Sequence, residues 1–253
     1  MKITILGTGT SQGVPVVACN CEVCTSVNPK DKRLRCSVLV ETQGKIIVID
    51  SGPDFRYQML REKVKQLDGI VYTHEHKDHV AGLDDIRAFN YLNKKAIDIF
   101  ATLAVQQALK REFKYVFDGT KYPGIPDVNL ITITNQPFKA AGIEFIPFEV
   151  MHHKLPVLGF RIGDFVYLTD ANYISDQERN KIRGAKVLVI NALRREEHIS
   201  HFTLAQALEV IDDLKPEMAY LTHISHQLGL HVEVEKELPS NVRLAYDGQQ
   251  FNF

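Results

Sequence analysis

The chain has 253 residues, of which 45% are hydrophobic and 24% charged, and its formal net charge at pH 7 is −1. This composition is close to that of an average globular protein, so it argues against a disordered or a membrane class. The near-zero charge and the lack of a long Lys/Arg run argue against bulk electrostatic binding of long nucleic acids. We expect one α/β domain that spans residues 1–253.

The N-terminal segment predicts a first β-strand. Residues 1–7 carry one basic residue and a short apolar run that ends at glycine, which is not the pattern of a signal peptide. No apolar run approaches the roughly 18 residues that a membrane span needs. We therefore expect a cytoplasmic protein with four reduced cysteines, a setting in which metal binding is favoured over disulfides.

A glycine-rich turn follows this strand at residues 7–13. Its spacing matches neither a P-loop nor the dinucleotide-binding fingerprint. Such a turn can bring backbone N–H groups close to an anion or a metal site, or it can simply reverse the chain. Both interpretations are open at this point.

A cluster of thiols comes next, at Cys19, Cys21 and Cys24, in a segment without helix or strand periodicity. One imidazole from elsewhere would complete a tetrahedral zinc site that staples this loop. Free thiols are the alternative. Cys36 opens an apolar strand and is predicted to be a packed core residue.

The densest group of potential metal ligands follows a predicted strand at residues 70–72 and consists of His74, His76, Asp78 and His79. Imidazole nitrogens mixed with a carboxylate suit zinc, manganese or iron better than calcium or copper(I). A solvated polar turn is the competing interpretation, but turns favour Gly, Asn, Pro and Ser over repeated imidazoles. We therefore predict that this segment holds a pair of metal ions.

Further polar residues follow other predicted strands, as expected for an α/β sheet with its site at the strand ends. They are Asp50, His152 with His153, Asp170 and His223. The hydrophobic pattern predicts helices at residues 55–64, 80–92 and 204–214, and residues 130–134 and 143–150 alternate like paired strands. Residues 118–127 form a Gly- and Pro-rich loop.

The spacing His74-x-His76-x-Asp78-His79, with further ligands downstream, resembles the signature of the metallo-β-lactamase-fold hydrolases. This resemblance implies a four-layer αββα sandwich with a dinuclear metal centre. It assigns three histidines to one ion, three residues to the other and an aspartate to both. These sets are His74, His76 and His152; Asp78, His79 and His223; and the bridging Asp170. His153 is the alternative to His152 if the register shifts.

Four further features resemble the cyclic phosphodiesterases of the bacterial phosphonate-degradation (carbon–phosphorus lyase) pathway. They are the Gln12-Gly13-Val14-Pro15 turn, the cysteine loop, the Ser200-His201 segment and residues 222–227. The resemblance implies that Cys19, Cys21, Cys24 and His226 bind a structural zinc ion. The segment after His152 and residues 194–197 depart from the family pattern, so the substrate is less well defined than the chemistry.

The predicted reaction is the hydrolysis of a small phosphodiester, with a cyclic ribosyl phosphate as the expected substrate. A hydroxide that bridges two Mn or Zn ions would be the nucleophile. His201 and Asp78 are the predicted catalytic residues, His201 as general acid or phosphate contact, unless it merely caps a helix. Asp50 is expected to orient a histidine ligand. His198 and His231 are expected to be surface residues.

Two other classes of function are open. One is another hydrolase of the same fold: a tRNA 3′-processing nuclease, a lactonase or a thioesterase. The absence of a long basic arm argues against the nuclease, and the cysteine loop argues against the lactonase. The other is a non-catalytic metal-binding protein, which the number of ligand candidates disfavours. The expected partner is a small molecule, without membrane or nucleic acid. The sequence allows a homodimer and does not define the catalytic metal.

Overall fold

The computed structural model describes residues 1–119 and 122–253, so residues 120 and 121 of the predicted 118–127 loop lie outside the described part. Within that part, the strands form two sheets of seven strands each. The strands are β1 Lys2–Gly7, β2 Ser37–Thr42, β3 Lys45–Ile49, β4 Gly69–Val71, β5 Ile97–Ala101, β6 Val128–Thr132, β7 Phe138–Ala140, β8 Ile143–His152, β9 Leu155–Ile162, β10 Phe165–Leu168, β11 Val187–Asn191, β12 Met218–Thr222, β13 Val242–Leu244 and β14 Gln250–Asn252.

The first sheet has the order β14-β1-β2-β3-β4-β5-β6, and the second has the order β13-β12-β11-β10-β9-β8-β7. Helices flank both sheets or lie in the loops between the strands. They are α1 Glu22–Thr25, α2 Phe55–Arg61, α3 Lys77–Val80, α4 Arg87–Asn93, α5 Leu103–Glu112, α6 Lys114–Phe117, α7 Asp176–Ile182, α8 Leu204–Leu214 and α9 His231–Glu237. Among the described residues, no helix is long and apolar enough to cross a membrane.

Side-chain alternation in the strands explains this layering. In β2, Val38 and Val40 point into an apolar core that also contains Phe160 of the second sheet. Leu39, between them, belongs to a separate core that contains Phe55 of α2. Successive side chains of a strand point to opposite faces, so β2 contributes to both cores. The result is the αββα arrangement, which confirms the predicted fold class.

Strand register gathers the site at one edge of the two sheets. In the second sheet, Leu168 of β10 lies level with Ile190 of β11, which lies level with Leu221 of β12. In the first sheet, Ile49 of β3 is paired with Val71 of β4. These neighbouring strands are parallel. The residues that follow their carboxyl ends are therefore brought together.

The predicted helix at 204–214 is confirmed as α8. Thr203 begins it with a capping box, in which the Thr203 side chain and Gln206 satisfy each other's backbone N–H groups. The continuous helix predicted at 80–92 is wrong, because α3, a 3-10 turn at Leu83–Ile86 and α4 share this segment. Gly82 lies between them, and a Cβ atom there would lie 2.3 Å from the Gly52 carbonyl oxygen.

The predicted pairing of residues 130–134 with 143–150 is wrong. Strand β6 pairs with β5 in the first sheet, whereas β8 pairs with β7 and β9 in the second. Alternation of apolar and polar residues indicates a half-buried strand but does not identify its neighbour, because pairing depends on the path of the whole chain.

Candidate metal centre and active site

The loop after β4 carries the first group of potential ligands and is anchored by Asp50. The Asp50 carboxylate accepts hydrogen bonds from the Thr73 backbone N at 2.9 Å, the Thr73 hydroxyl at 2.8 Å and Nδ1 of His79 at 2.7 Å. Asp50 itself is fully buried at the end of β3. It therefore orients a histidine, as predicted, and also fixes the first turn of the loop.

Hydrogen bonds define which nitrogen of each buried imidazole carries the proton. His79 donates from Nδ1 to Asp50, and His152 donates from Nδ1 to the Ser200 carbonyl oxygen at 2.8 Å. His74 has Nδ1 at 2.9 Å from the Thr73 hydroxyl, whose own proton goes to Asp50. In all three rings Nε2 is therefore the nitrogen that is not used by Asp50, Thr73 or Ser200, and it is available to a metal ion.

Several of these nitrogens are buried without any hydrogen-bond partner. They are Nε2 of His74, Nε2 of His79 and both ring nitrogens of His223. A buried polar atom without a partner is costly unless something outside the protein satisfies it. A divalent cation would accept the lone pairs of these nitrogens. The donor set therefore fits the divalent metal ions predicted for this segment.

One compact group of ligand atoms consists of Asp78, His79, Asp170 and His223, which lie within 4.8 Å of one another. Nε2 of His79 is 3.2 Å from both carboxylates, and Nε2 of His223 is 3.2 Å from Asp170 and 3.7 Å from Asp78. Two ligand atoms on one tetrahedral zinc ion are about 3.4 Å apart, given metal–ligand bonds near 2.1 Å. The spacing matches co-ligands of one ion.

The remaining histidines lie side by side next to this group. The ring centroids of His74 and His76 are 4.6 Å apart, those of His76 and His152 are 5.1 Å apart, and those of His74 and His152 are 5.9 Å apart. Asp170 also groups with His152 and His201. Asp170 therefore faces both halves of the cluster, as the predicted bridging role requires.

The structure distinguishes His152 from its neighbour. His152 is buried with its ring in the cluster, whereas His153 is exposed and its backbone N–H donates to Asn172. His153 also has a φ of 57°, so the chain turns away directly after β8. His152 is thus the one of the two that the structure places with the other predicted ligands.

Three site residues adopt a left-handed backbone conformation at strand ends. The φ values are 61° for Asp50, 54° for Asp170 and 54° for His223. Such conformations of non-glycine residues cost of the order of 1–3 kcal/mol and concentrate at functional sites. Here they direct three side chains toward the same point at the edge of the sheets.

Electrostatics separate neutral imidazoles from ionised carboxylates. Burial lowers the pKa of His74 and of His152, so both rings are neutral at pH 7. Burial disfavours the charged form of Asp170, but His223, His79 and His201 outweigh it and hold the pKa well below its usual range. Neutral imidazoles and ionised carboxylates are the protonation states that divalent metals require.

His79 differs from the other buried rings. Burial disfavours its charged form, but Asp78, Asp170 and Asp50 outweigh that effect and raise its pKa well above the usual value. The same carboxylates that attract a proton to Nε2 would attract a metal ion more strongly, because the ion carries two charges. Metal binding would therefore release this proton.

His201 lies in the same cluster, as predicted, and is buried. Its Nε2 is 3.0 Å from Asp170, and its ring stacks on that of His223 at 4.7 Å between centroids. Burial lowers the pKa of His201 to about 4, although Asp170 acts in the opposite direction. His201 is not the cap of α8, because Thr203 has that role.

The cysteine loop meets a histidine from the other end of the chain. The Sγ atoms of Cys19 and Cys21 each lie 3.3 Å from Nδ1 of His226, and Cys24 completes a group within 4.8 Å. The Cys24 backbone N–H and His226 lower the pKa of Cys21 to about 6, whereas burial raises that of Cys24 to about 11. This is a Cys3His donor set of the kind that binds structural zinc.

The glycine-rich turn is a structural connection. Gly9 donates to the Leu34 carbonyl, Thr10 to that of Ile224, and Gly13 to that of Thr10. These N–H groups are therefore used within the protein, which favours the plain-turn interpretation. Ile224 lies between His223 and His226, so the turn supports the segment that contributes to both metal sites.

Two histidines are placed differently from the prediction. His231 is buried, and its Nδ1 lies 3.2 Å from the Arg33 guanidinium. His198 is half-buried, with Nδ1 3.1 Å from Nδ1 of His201. The expectation that both are surface residues is wrong, because loop packing decides their burial and the sequence carries no periodic signal in these loops. Cys36 is a buried core thiol, as predicted.

Comparison with known proteins agrees with this geometry. A family model described as a beta-lactamase superfamily domain matches residues 45–224. The fold and the donor set thus define a metal-dependent hydrolase domain, and the chain belongs to the beta-lactamase superfamily. Within it, the chain is similar to a solved structure described as a new diphosphatase from the PhnP family. The identity is 40%, the TM-score is 0.93, and coverage is 100% of this chain and 97% of the other.

Two curated relatives are similar over part of their length. An octanoyltransferase of Porphyromonas gingivalis is 40% identical over 251 residues, which is 98% of this chain and 51% of that protein. A ribonuclease Z of Nostoc sp. is 26% identical over 168 residues, covering 65% of this chain and 47% of that protein. The chain therefore spans about half the length of the curated relatives that it matches.

Proposed function

We propose that the chain is a dinuclear metal-dependent phosphodiesterase that hydrolyses a small, cyclic ribosyl phosphodiester. The observation that carries this proposal is the set of unpartnered, buried imidazole nitrogens that face two ionised carboxylates. The likeness to a PhnP-family structure over the full chain directs the chemistry to phosphate substrates. The cysteine loop supports the same subgroup.

The proposed ligands divide into two sets that share Asp170. His74, His76 and His152 hold one ion, and Asp78, His79 and His223 hold the other. A shared carboxylate is supported by the position of Asp170, which groups with His79 and His223 of the second set and also with His152 of the first. A bridging negative charge offsets the repulsion between two cations about 3.5–4 Å apart.

Two divalent ions in this site would polarise a phosphoryl oxygen and supply a nucleophilic water at neutral pH. The residues of the chain contribute positioning and proton transfer. Asp78 is ionised, because His79 and His223 outweigh the burial that would raise its pKa, so it can accept a hydrogen bond from the attacking water. His201 Nε2 faces the site and can give a proton to the departing oxygen. The anionic phosphoryl group favours the protonated His201 ring.

A diphosphatase is the second candidate. It is favoured by the 40% identity to the PhnP-family diphosphatase over 97% of that chain. A diphosphate would present the same kind of phosphoryl group to the ions, but its leaving group is a phosphate instead of an alkoxide. Nuclease activity has less support, because the ribonuclease Z match covers 65% of this chain at 26% identity and the net charge is −1.

The identity of the metal ions, the number of domains, the cellular location and the partner are also part of the proposal. His/Asp ligation suits zinc or manganese in the active site, and the Cys3His set suits one structural zinc. A single domain and a cytoplasmic location are part of the proposal, because reduced thiols are the form that binds zinc and the cytoplasm keeps thiols reduced. The proposed partner is a small-molecule substrate. Octanoyl transfer is not carried over, because that name describes a protein of which this chain covers 51%.

The test is a substrate panel with the protein reconstituted in Mn²⁺ or Zn²⁺. The panel contains a ribosyl five-membered cyclic phosphate, bis(p-nitrophenyl) phosphate, p-nitrophenyl phosphate, ADP, a lactone and a thioester. We expect hydrolysis of the two diesters, with the cyclic ribosyl phosphate preferred. Activity confined to ADP would establish the diphosphatase instead, and activity confined to the lactone or thioester would overturn both candidates.

A further inference from the structure

A cavity of about 530 Å³ lies between the turn at residues 14–15, the segment 29–34 and α2. This volume falls within the roughly 300–1,000 Å³ that small-molecule sites occupy. None of the proposed metal ligands is among the described residues that line it. The wall of the cavity has a cationic part and an apolar part, and each part restricts the chemistry of a ligand.

Arg33 belongs to the cationic part and is a buried arginine without a direct ion pair among the described residues. Its guanidinium contacts three groups that carry no negative charge, which are the Thr8 hydroxyl at 2.8 Å, the Ala245 carbonyl at 2.7 Å and Nδ1 of His231 at 3.2 Å. Burial lowers the pKa of Arg33 to about 10, against the effect of Asp247 and Asp31, so the charge is present at pH 7. A buried charge is costly unless an opposite charge offsets it, and an anion in the cavity would do so.

Lys32 and Arg61 add two partly exposed cations with N–H groups to spare. Lys32 donates from Nζ to the Cys24 carbonyl at 3.0 Å, which uses one of its three protons. Arg61 pairs through Nε with Glu62 at 2.7 Å, whereas its Nη1 lies 3.7 Å from Asp247. With both carboxylates counted, the three cations of the wall still leave an excess of positive charge. Lysine and arginine together suit a phosphate group.

The carboxylate of Asp247, which also lines the cavity, is engaged by the protein. Its Oδ1 accepts a hydrogen bond from the Thr8 hydroxyl at 2.7 Å, and its Oδ2 accepts one from the Leu34 backbone N–H at 2.7 Å. Its side chain is 10% exposed. Asp247 therefore holds the wall together and leaves the remaining N–H groups of the cations to a ligand.

The apolar part of the wall contains one aromatic ring. Tyr57 of α2 is 59% exposed, and the other apolar residues are Val14, Pro15, Pro29 and Leu34. An exposed aromatic ring offers a nucleobase a stacking surface, and such stacking accepts any base. A ligand that uses both parts of the wall carries a phosphate and a planar ring in one small molecule.

We propose that this cavity binds a nucleoside 5′-monophosphate, with the phosphate at Lys32, Arg33 and Arg61 and the base against Tyr57. The site is additional to the proposed active site, and binding there involves no metal ion and no chemical step.

The test places a fluorescent reporter in the cavity. The chain has no tryptophan, so Tyr57→Trp introduces a single one and keeps an aromatic ring in the wall. Titration of this zinc-loaded variant with AMP should change the tryptophan emission in a saturable way. Adenosine and inorganic phosphate each match one part of the wall and should bind at least about tenfold more weakly. Phosphate that acts on the reporter as tightly as AMP would overturn the nucleotide assignment.

A second substitution locates the phosphate. Lys32→Gln, added to Tyr57→Trp, removes one cation of the wall and should weaken AMP binding about tenfold. The matched control is Lys65→Gln in the same background, which makes the same charge change at an exposed position outside the cavity and should leave the affinity unchanged. No saturable response to AMP, or equal affinity with and without Lys32→Gln, would overturn the proposal.

A third variant tests the base contact without touching the cysteine loop, to which Lys32 is bonded. Isothermal titration calorimetry should show that Tyr57→Ala binds AMP at least about fivefold more weakly than wild type. Because Tyr57 is exposed, this variant is expected to fold. Equal affinity of Tyr57→Ala and wild type for AMP would contradict the proposed site.

Discussion

Nε2 of His79 lies 3.2 Å from a carboxylate oxygen of Asp170, yet that nitrogen has no hydrogen-bond partner. The proton of His79 is on the opposite nitrogen, where it goes to Asp50. At this distance a positive charge lies between the two atoms, either a second ring proton that the carboxylates attract or a metal ion that displaces it. This relationship supports the proposal that the two groups are ligands of one ion.

Replacing Asp170 with asparagine should empty or disorder the metal site. Asparagine keeps the size of the side chain and tolerates the φ of 54°, so the change removes mainly the shared negative charge. We expect the loss of at least about one active-site ion per chain, because the repulsion between the cations is no longer offset. Metal analysis by mass spectrometry after dialysis measures this. The control Asp176→Asn, at an exposed position, should retain all metal.

Asp50→Asn should weaken metal binding without removing a ligand. Asp50 accepts the Nδ1 proton of His79, and loss of such a partner typically lowers metal affinity about 10- to 100-fold. Competition against a chromophoric chelator gives the affinity. An affinity equal to that of wild type would mean that Asp50 serves the backbone of the loop alone, through Thr73.

The proposed metal ligands could be predicted from the sequence, because their side chains are of the types that bind metal ions and they are clustered in the chain. Three histidines and an aspartate between His74 and His79 have few structural explanations, and the strand before them fixes their place at a sheet edge. The αββα layering was available only through the family resemblance. Periodicity found α8 but missed the break at Gly82, because that break depends on a contact with Gly52, which is distant in sequence.

The residues that contact the site from long loops could not be predicted from the sequence. His198, Ser200 and Asn172 act through long loops whose path is set by tertiary contacts, such as the Arg194–Gln227 hydrogen bond. The burial of His231 depends in the same way on Arg33, which is 198 residues earlier in the chain. A single sequence contains no periodic signal for contacts of this kind.

Cys21→Ser should remove the structural zinc selectively. The Cys21 thiol lies 3.3 Å from His226, and the Cys24 backbone N–H and His226 lower its pKa to about 6, which favours the thiolate that binds zinc. We expect about one zinc ion fewer per chain, with the active-site metal retained. The control Cys36→Ala removes a thiol outside the cluster and should leave the zinc content unchanged. Equal zinc content in Cys21→Ser and wild type would contradict the structural-zinc proposal.

His231 should make the protein less stable in acid. Burial, with help from Arg33, lowers the pKa of His231 to about 4 from its usual 6.5. Between these values the unfolded chain binds more protons than the folded one, so stability is lost as the pH falls through this window. From pH 7 to 5 the loss should be about 1–2 kcal/mol, the lower figure allowing for solvent screening.

Urea unfolding of metal-free protein at the two pH values measures this loss, and His231→Asn should reduce it because asparagine does not titrate. Burial raises the pKa of Asp247 to about 6, which acts in the opposite direction. The difference between variant and wild type cancels that contribution. An equal pH dependence in both proteins would contradict the role of His231.

Anomalous X-ray diffraction at the zinc absorption edge, on crystals of the zinc-reconstituted protein, tests the central claim most directly. The account predicts two peaks about 3.5–4 Å apart beside Asp170, one facing His74, His76 and His152 and the other facing Asp78, His79 and His223. A third peak should lie among Cys19, Cys21, Cys24 and His226. A single peak beside Asp170, or none, would contradict the dinuclear site.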